Sequence, residues 1–73
     1  MPKEIVIDSE FITLGKLLKE IGVIDTGGMA KWFLSEHEVI VNDELENRRG
    51  KKLFNNDQIT ITSVGTFKIV ARS

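Results

Sequence analysis

A chain of 73 residues, 41% of them apolar, holds material for one small core, which predicts a single domain over residues 1–73. Ten Lys and Arg against 11 Asp and Glu leave a net charge of −1, which is not the composition of a general nucleic-acid binder. The absence of cysteine excludes a disulfide framework, a thiolate nucleophile and Cys-ligated zinc, and a lone histidine, His37, cannot build a His cluster. A chain this short buries about 60% of the surface its unfolded form exposes and has little left for a deep cleft, so no catalytic residue, metal site or cofactor is expected. The opening Met1-Pro2-Lys3-Glu4-Ile5 lacks an apolar leader, and no apolar run approaches the roughly 18 residues of a membrane span, which predicts a cytoplasmic protein with no membrane partner.

Ile5-Val6-Ile7 reads as a short strand or extended arm. Leu14, Leu17, Leu18 and Ile21 then recur at helical spacing and predict a helix over about 13–21, with Thr13 at its N-cap, Ile12 stapled onto Leu17, and Gly22 as its stop. Asp25-Thr26 signals a second start, followed by Gly27-Gly28. Ala30, Phe33, Leu34 and His37 fall at i, i+3, i+4 and i+7, the buried stripe of helix two. Past Glu38 the period changes to two. Val39-Ile40-Val41, the turn pair Asn42-Asp43, and Glu44-Leu45 predict a β-hairpin. The next stretch reads as a loop anchored by Leu53 and Phe54, with a second turn at Asn55-Asn56-Asp57. Gln58-Ile59-Thr60-Ile61-Thr62 alternates as a half-buried strand does, and Gly65 turns the chain into a last strand over Phe67–Ala71. The order predicts an α+β fold: two helices packed on a small, mainly antiparallel β-sheet.

The near-neutral total hides an asymmetry. Residues 1–46 carry four Lys and ten acids, a net of −6, whereas residues 47–73 carry six cations and Asp57, a net of +5. Four of those six, Arg48, Arg49, Lys51 and Lys52, lie around Gly50 in a loop. Such a cluster is either a solvated loop or a contact for an anion or nucleic acid.

Helix two and its hairpin resemble the S4-type RNA-binding domain, the α-L motif. Thr26-Gly27 stands at the helix start of that family's pattern, Ala30 at its small core position, Phe33-Leu34 at its aliphatic pair, and Val39-Ile40-Val41-Asn42-Asp43 at its hairpin. Leu14-Gly15-Lys16-Leu17-Leu18 is similar to the family's first helix, and Asp57-Gln58-Ile59 to its Gly-Asp-x-Ile step, so the resemblance covers a core of about residues 12–61. The segments Gly27–Val39 and Asn47–Lys51 look like the small stand-alone bacterial YaaA subgroup. Gly27 stands where the family usually has Arg, and His37 where it has Gly. The resemblance implies a non-enzymatic, ribosome-associated module whose partner is structured or ribosomal RNA, alone or with a protein partner. The positions it points to are Lys31 and the cluster after the hairpin.

The chemistry of such a surface needs clustered cations with a planar group nearby. Arg48 and Arg49 fork onto phosphates or stack on bases, Lys51 and Lys52 act as point charges, and Gly50 allows a tight turn that lets both pairs face one way. Gly27 and Gly28 either seat a phosphate at the helix start, with Lys31 closing the site, or simply turn the chain. Trp32, off the centre of the buried stripe, either covers the edge of a small core or offers its indole to a base or a partner's pocket. His37 reads as a hydrogen-bonded packing residue. Enzyme patterns are missing: Glu36-His37-Glu38 has no second metal-binding His, and there is no Walker-type or dinucleotide-type glycine pattern. Two other readings remain. One is a protein-interaction adaptor using Trp32 and the acidic N-terminal half; the other is a β-grasp sulfur carrier. Against the carrier stands an end of Ala71-Arg72-Ser73 where adenylation needs Gly-Gly.

Overall fold

The structure, a computed structural model, describes residues 2–72. Its elements run β1 (Lys3–Ile7), β2 (Phe11–Thr13), α1 (Leu14–Glu20), α2 (Met29–Glu36), β3 (Val39–Val41), β4 (Glu44–Leu45), β5 (Lys52–Phe54), β6 (Gln58–Ile61) and β7 (Gly65–Ala71). Five strands form one sheet in the order β1-β7-β6-β3-β4, and β2 and β5 form a separate antiparallel ribbon. The fold is α+β, with two helices on a mixed sheet in which only β1 and β7 run parallel.

Alternation sets the sheet's two faces. Val39, Val41, Ile59, Ile61, Phe67 and Ile69 are buried together with Leu14, Leu17 and Leu18 of α1 and Ala30, Phe33 and Leu34 of α2. Those six helical residues are the apolar stripes of the two helices, so sheet and helices share one core. Asn42 and Asp43 both have positive φ, 50° and 71°, the geometry of a two-residue hairpin turn whose twist matches the strands it joins. Asn42 also latches this hairpin to the second turn: its Nδ2 donates to Asp57 Oδ1 at 3.0 Å, and its Oδ1 accepts from the Gln58 amide at 2.9 Å.

Helix α1 stops as the glycine implies. Gly22 adopts φ 83°, its amide donates to Lys19 O, and the Val23 amide reaches back to Leu18 O, which together form a Schellman motif. Its start falls where expected, with Thr13 at the N-cap, but the expected side-chain bond is not made. Ile12 and Thr13 belong to β2, where they pair with Leu53 and Lys52. The start of α2 also differs: the helix begins at Met29, after a turn in which the Met29 and Ala30 amides bond to Thr26 O and Gly27 O. Lys52–Phe54 is a strand rather than the end of a loop, because β2 supplies it with a partner some forty residues earlier in the chain.

Candidate functional site

The basic stretch is built onto the start of α1. The first amides of a helix have no partner within it, and here the loop's carbonyls supply one: Leu14 N–H donates to Lys51 O at 2.9 Å and Gly15 N–H to Arg49 O at 2.8 Å. The Lys51 amide closes on Arg48 O at 3.2 Å, which leaves Arg49 and Gly50 at the tip of a tight turn. The loop packs closely over Gly15: a Cβ there would lie 3.4 Å from both Cβ and O of Arg49, and 3.6 Å from the Ala30 Cβ, in van der Waals contact with each.

This docking opens a groove of about 420 Å³ between α1, the start of α2 and the loop. Lys16 and Lys19 border it from α1, Arg49 and Gly50 from the loop, and Gly27 from the turn before α2. The bordering residues bring three cations and no carboxylate. The Arg49 guanidinium reaches across toward Gly27, its Nη1 3.5 Å from the Gly27 carbonyl oxygen, a contact at the outer limit of a hydrogen bond. The amides of Gly27 and Gly28 donate no hydrogen bond among the described residues and carry no side chain to shield them. Three cations bordering one groove, without a carboxylate among its bordering residues, suit an anion of the size of a phosphate.

The other cations of the run face elsewhere. Arg48, Lys51 and Lys52 border a second hollow of about 500 Å³ shared with Glu44, Glu46 and Asp57. Arg48 is engaged there: Nε and the backbone amide each donate to Glu46 Oε2 at 3.1 Å, and Nη2 donates to Oε1 at 3.4 Å. These bonds hold the Glu46 carboxyl below the usual carboxylate range and push the Arg48 guanidinium up. Lys52 Nζ sits 4.8 Å above the centre of the Phe11 ring, and that ring lies 5.8 Å from Phe54. The two basic pairs around Gly50 therefore do not face one way.

Lys31 and Trp32 are exposed on α2, outside the groove. Trp32 is 57% exposed, so it does not cover the core edge. His37 packs as expected of a helix end, stacked on Phe33 with ring centres 4.3 Å apart. Its ring makes no hydrogen bond among the described residues. Sequence reasoning missed Gly15, Lys16 and Lys19. The lysines sit at i and i+3 on the polar side of α1 and look like any solvated helix face; only the pairing of β2 with β5 brings them opposite Arg49. Among the described residues no cluster of His, Cys, Asp or Glu is arranged to hold a metal, and no helix is long and apolar enough to cross a membrane.

Two helices on this sheet, with the hairpin following α2, define an S4 domain, and the chain belongs to that family: residues 5–70 match it. Over 70 residues, 96% of this chain and 99% of the relative, it is 59% identical to a protein of Bacillus subtilis (strain 168) named as a probable ribosome maturation protein, RlbA. No solved structure matches the chain.

Proposed function

We propose that this protein is a non-catalytic, cytoplasmic RNA-binding module of 73 residues that acts on structured or ribosomal RNA during ribosome maturation. The observation that carries the reading is the groove, bordered by Lys16, Lys19 and Arg49, with no carboxylate among its bordering residues, and by Gly27 at the start of α2. A phosphodiester chain entering it meets three point charges on a backbone already fixed by hydrogen bonds. Lys31 extends the positive surface along α2, and Arg48, Lys51 and Lys52 form a flanking contact on the far side of the loop. The name of the Bacillus relative agrees with this reading.

The test is filter binding to transcripts of the small- and large-subunit ribosomal RNAs. With three phosphates neutralised, affinity falls about 20- to 40-fold between roughly 50 and 200 mM salt. Binding that ignores salt, or no binding to either transcript, removes the proposal.

The exposure of Trp32, with Met29 exposed beside it on the same helix, favours a second role as a contact for a protein partner. Because the indole is not core, Trp32→Ala leaves the fold intact. A co-purifying protein lost from this variant while RNA is retained assigns Trp32 to the partner; RNA lost with the protein retained assigns it to stacking on a base.

A further inference from the structure

Directly opposite residues of an antiparallel pair share a face, and successive residues alternate between faces. Ile12 and Leu53, paired at the centre of the β2–β5 ribbon, are buried in the core, so Phe11, Thr13, Lys52 and Phe54 stand on its outer face. Packing requires no aromatic there. Phe33 and Phe67 are 4% and 7% exposed, whereas Phe54 is 44% exposed. Its ring centre lies 5.8 Å from that of Phe11 with the planes tilted by 49°, so the two rings do not stack flat on each other, and Lys52 Nζ sits over Phe11. Asp57 Oδ2 accepts from the Phe54 amide at 2.7 Å and fixes the backbone that carries the exposed ring. This outer face adjoins the groove in two places. Thr13, opposite Lys52, borders the groove, and Lys16 borders both the groove and a hollow of about 450 Å³ that reaches Phe11.

We infer that Phe54, backed by Phe11, is a stacking platform for an unpaired base of the RNA whose backbone lies in the groove. The inference rests on the groove's being the RNA site, and it adds a base contact to a surface that otherwise meets phosphates. The nearby carboxylates decide which part of a nucleotide fits. Asp8 and Glu20 border the hollow beside Phe11, and Asp8 and Glu10 border one beside Phe54, so this end of the ribbon repels a phosphate. An uncharged base gains from an aromatic face whatever the charge around it. Phe11 lies two residues, about 7 Å, along β2 from Thr13, so a strand leaving the groove over Thr13 comes directly to the rings. Every base has a flat face, so the platform selects unpaired over paired RNA and not one sequence over another.

The experiment exchanges the ring. Phe54→Leu keeps an apolar side chain on the ribbon but removes the flat face. It is expected to weaken filter binding to the ribosomal RNA transcripts about 5- to 20-fold with the salt slope unchanged, since no phosphate contact is lost. Phe54→Trp, which keeps a flat ring, retains the affinity. Combined with Trp32→Phe it leaves the chain a single tryptophan, whose fluorescence is quenched by the transcript as a base covers it. Circular dichroism melts set a temperature at which every variant is fully folded, which separates loss of the ring from loss of the ribbon. No RNA binding by the wild-type protein ends the functional reading itself. Wild-type binding combined with an undiminished Phe54→Leu, or with no quenching in the Phe54→Trp, Trp32→Phe variant, overturns the platform alone. A salt slope that falls in Phe54→Leu shows the ring holding a cation in place instead of meeting a base. A co-purifying protein lost from Phe54→Leu with RNA affinity intact makes this face a protein contact, and either result likewise overturns the platform.

Discussion

Arg48 and Arg49 are neighbours in the chain and opposites in the fold. Arg48 keeps 74% of its side chain exposed, yet its guanidinium and its own amide both bond to Glu46, whose side chain is 12% exposed. Arg49 has no carboxylate partner among the described residues, is held through its backbone by the Gly15 amide, and shares its groove with two lysines. A run of positive charge is thus not one surface. Arg49, at the turn's tip, borders the groove beside α1, while Arg48 and Lys51, which flank the tip, border the hollow on the other side, where a carboxylate cancels the one it reaches. What makes a cation available is the absence of acids in its hollow, not the density of cations in the sequence around it.

The largest test of that contrast neutralises each side in turn. Lys16→Gln, Lys19→Gln and Arg49→Gln together are expected to lower affinity for ribosomal RNA by about 100-fold or more at low salt and to leave almost no salt slope. Arg48→Gln, Lys51→Gln and Lys52→Gln together cost much less, because Arg48 is already paired and Lys52 already lies over Phe11. Equal losses, measured by filter binding across a salt series, break the comparison. Gly15 gives the next largest effect. Gly15→Val drives two methyl groups into Arg49 and Ala30, lowers stability by about 1–3 kcal/mol and lifts the loop tip off α1, whereas Gly15→Ala brings only ordinary contact and a better helix former. RNA binding reduced in Gly15→Val at a temperature where it is fully folded marks the loop's seat on α1 as the positioning device.

Local signals account for what the sequence revealed. The hairpin at Asn42-Asp43, the alternation of β6, the stop at Gly22 and the two apolar stripes each occupy a few consecutive residues, and each appears in the structure where its pattern placed it. The β2–β5 ribbon was not legible. A three-residue strand has no period to detect, and its partner lies some forty residues away. The site inherits that blindness. Arg48 to Lys52 announces itself as a charge run, but its division by the turn at Arg49-Gly50 is a matter of backbone direction, and the lysines that complete the groove belong to a helix remote in sequence. Gly15 is the instructive case: inside a helix it looks like a defect, and only the fold shows the loop and Ala30 pressed so close that a side chain larger than a methyl group would collide with them.

Smaller effects probe the paired side. Glu46→Gln removes half of the Arg48 clamp, frees the guanidinium, and is expected to raise RNA affinity about two- to fivefold at low salt, with Arg48→Ala abolishing that gain. No gain in Glu46→Gln means that Arg48 faces away from the RNA even when released.

The smallest effect is on stability. The Glu46 carboxyl is held below its ordinary pKa, first by the hydrogen bond from Arg48, so ionisation favours the folded state. The sign follows from that direction. At pH values above the ordinary carboxylate pKa, the contribution is fully present; as pH falls through the depressed folded value, the group protonates in both states and the contribution disappears. Urea melts of wild type and Glu46→Gln should therefore differ at neutral pH and converge under acid. Arg48, whose guanidinium stays charged across that range, contributes no pH dependence of its own, and Arg48→Ala should flatten the same acid limb by removing the cause of the Glu46 shift. A difference between wild type and Glu46→Gln that persists unchanged into acid would assign the effect to packing of the largely covered side chain, and the ion pair would then explain where Arg48 points without explaining stability.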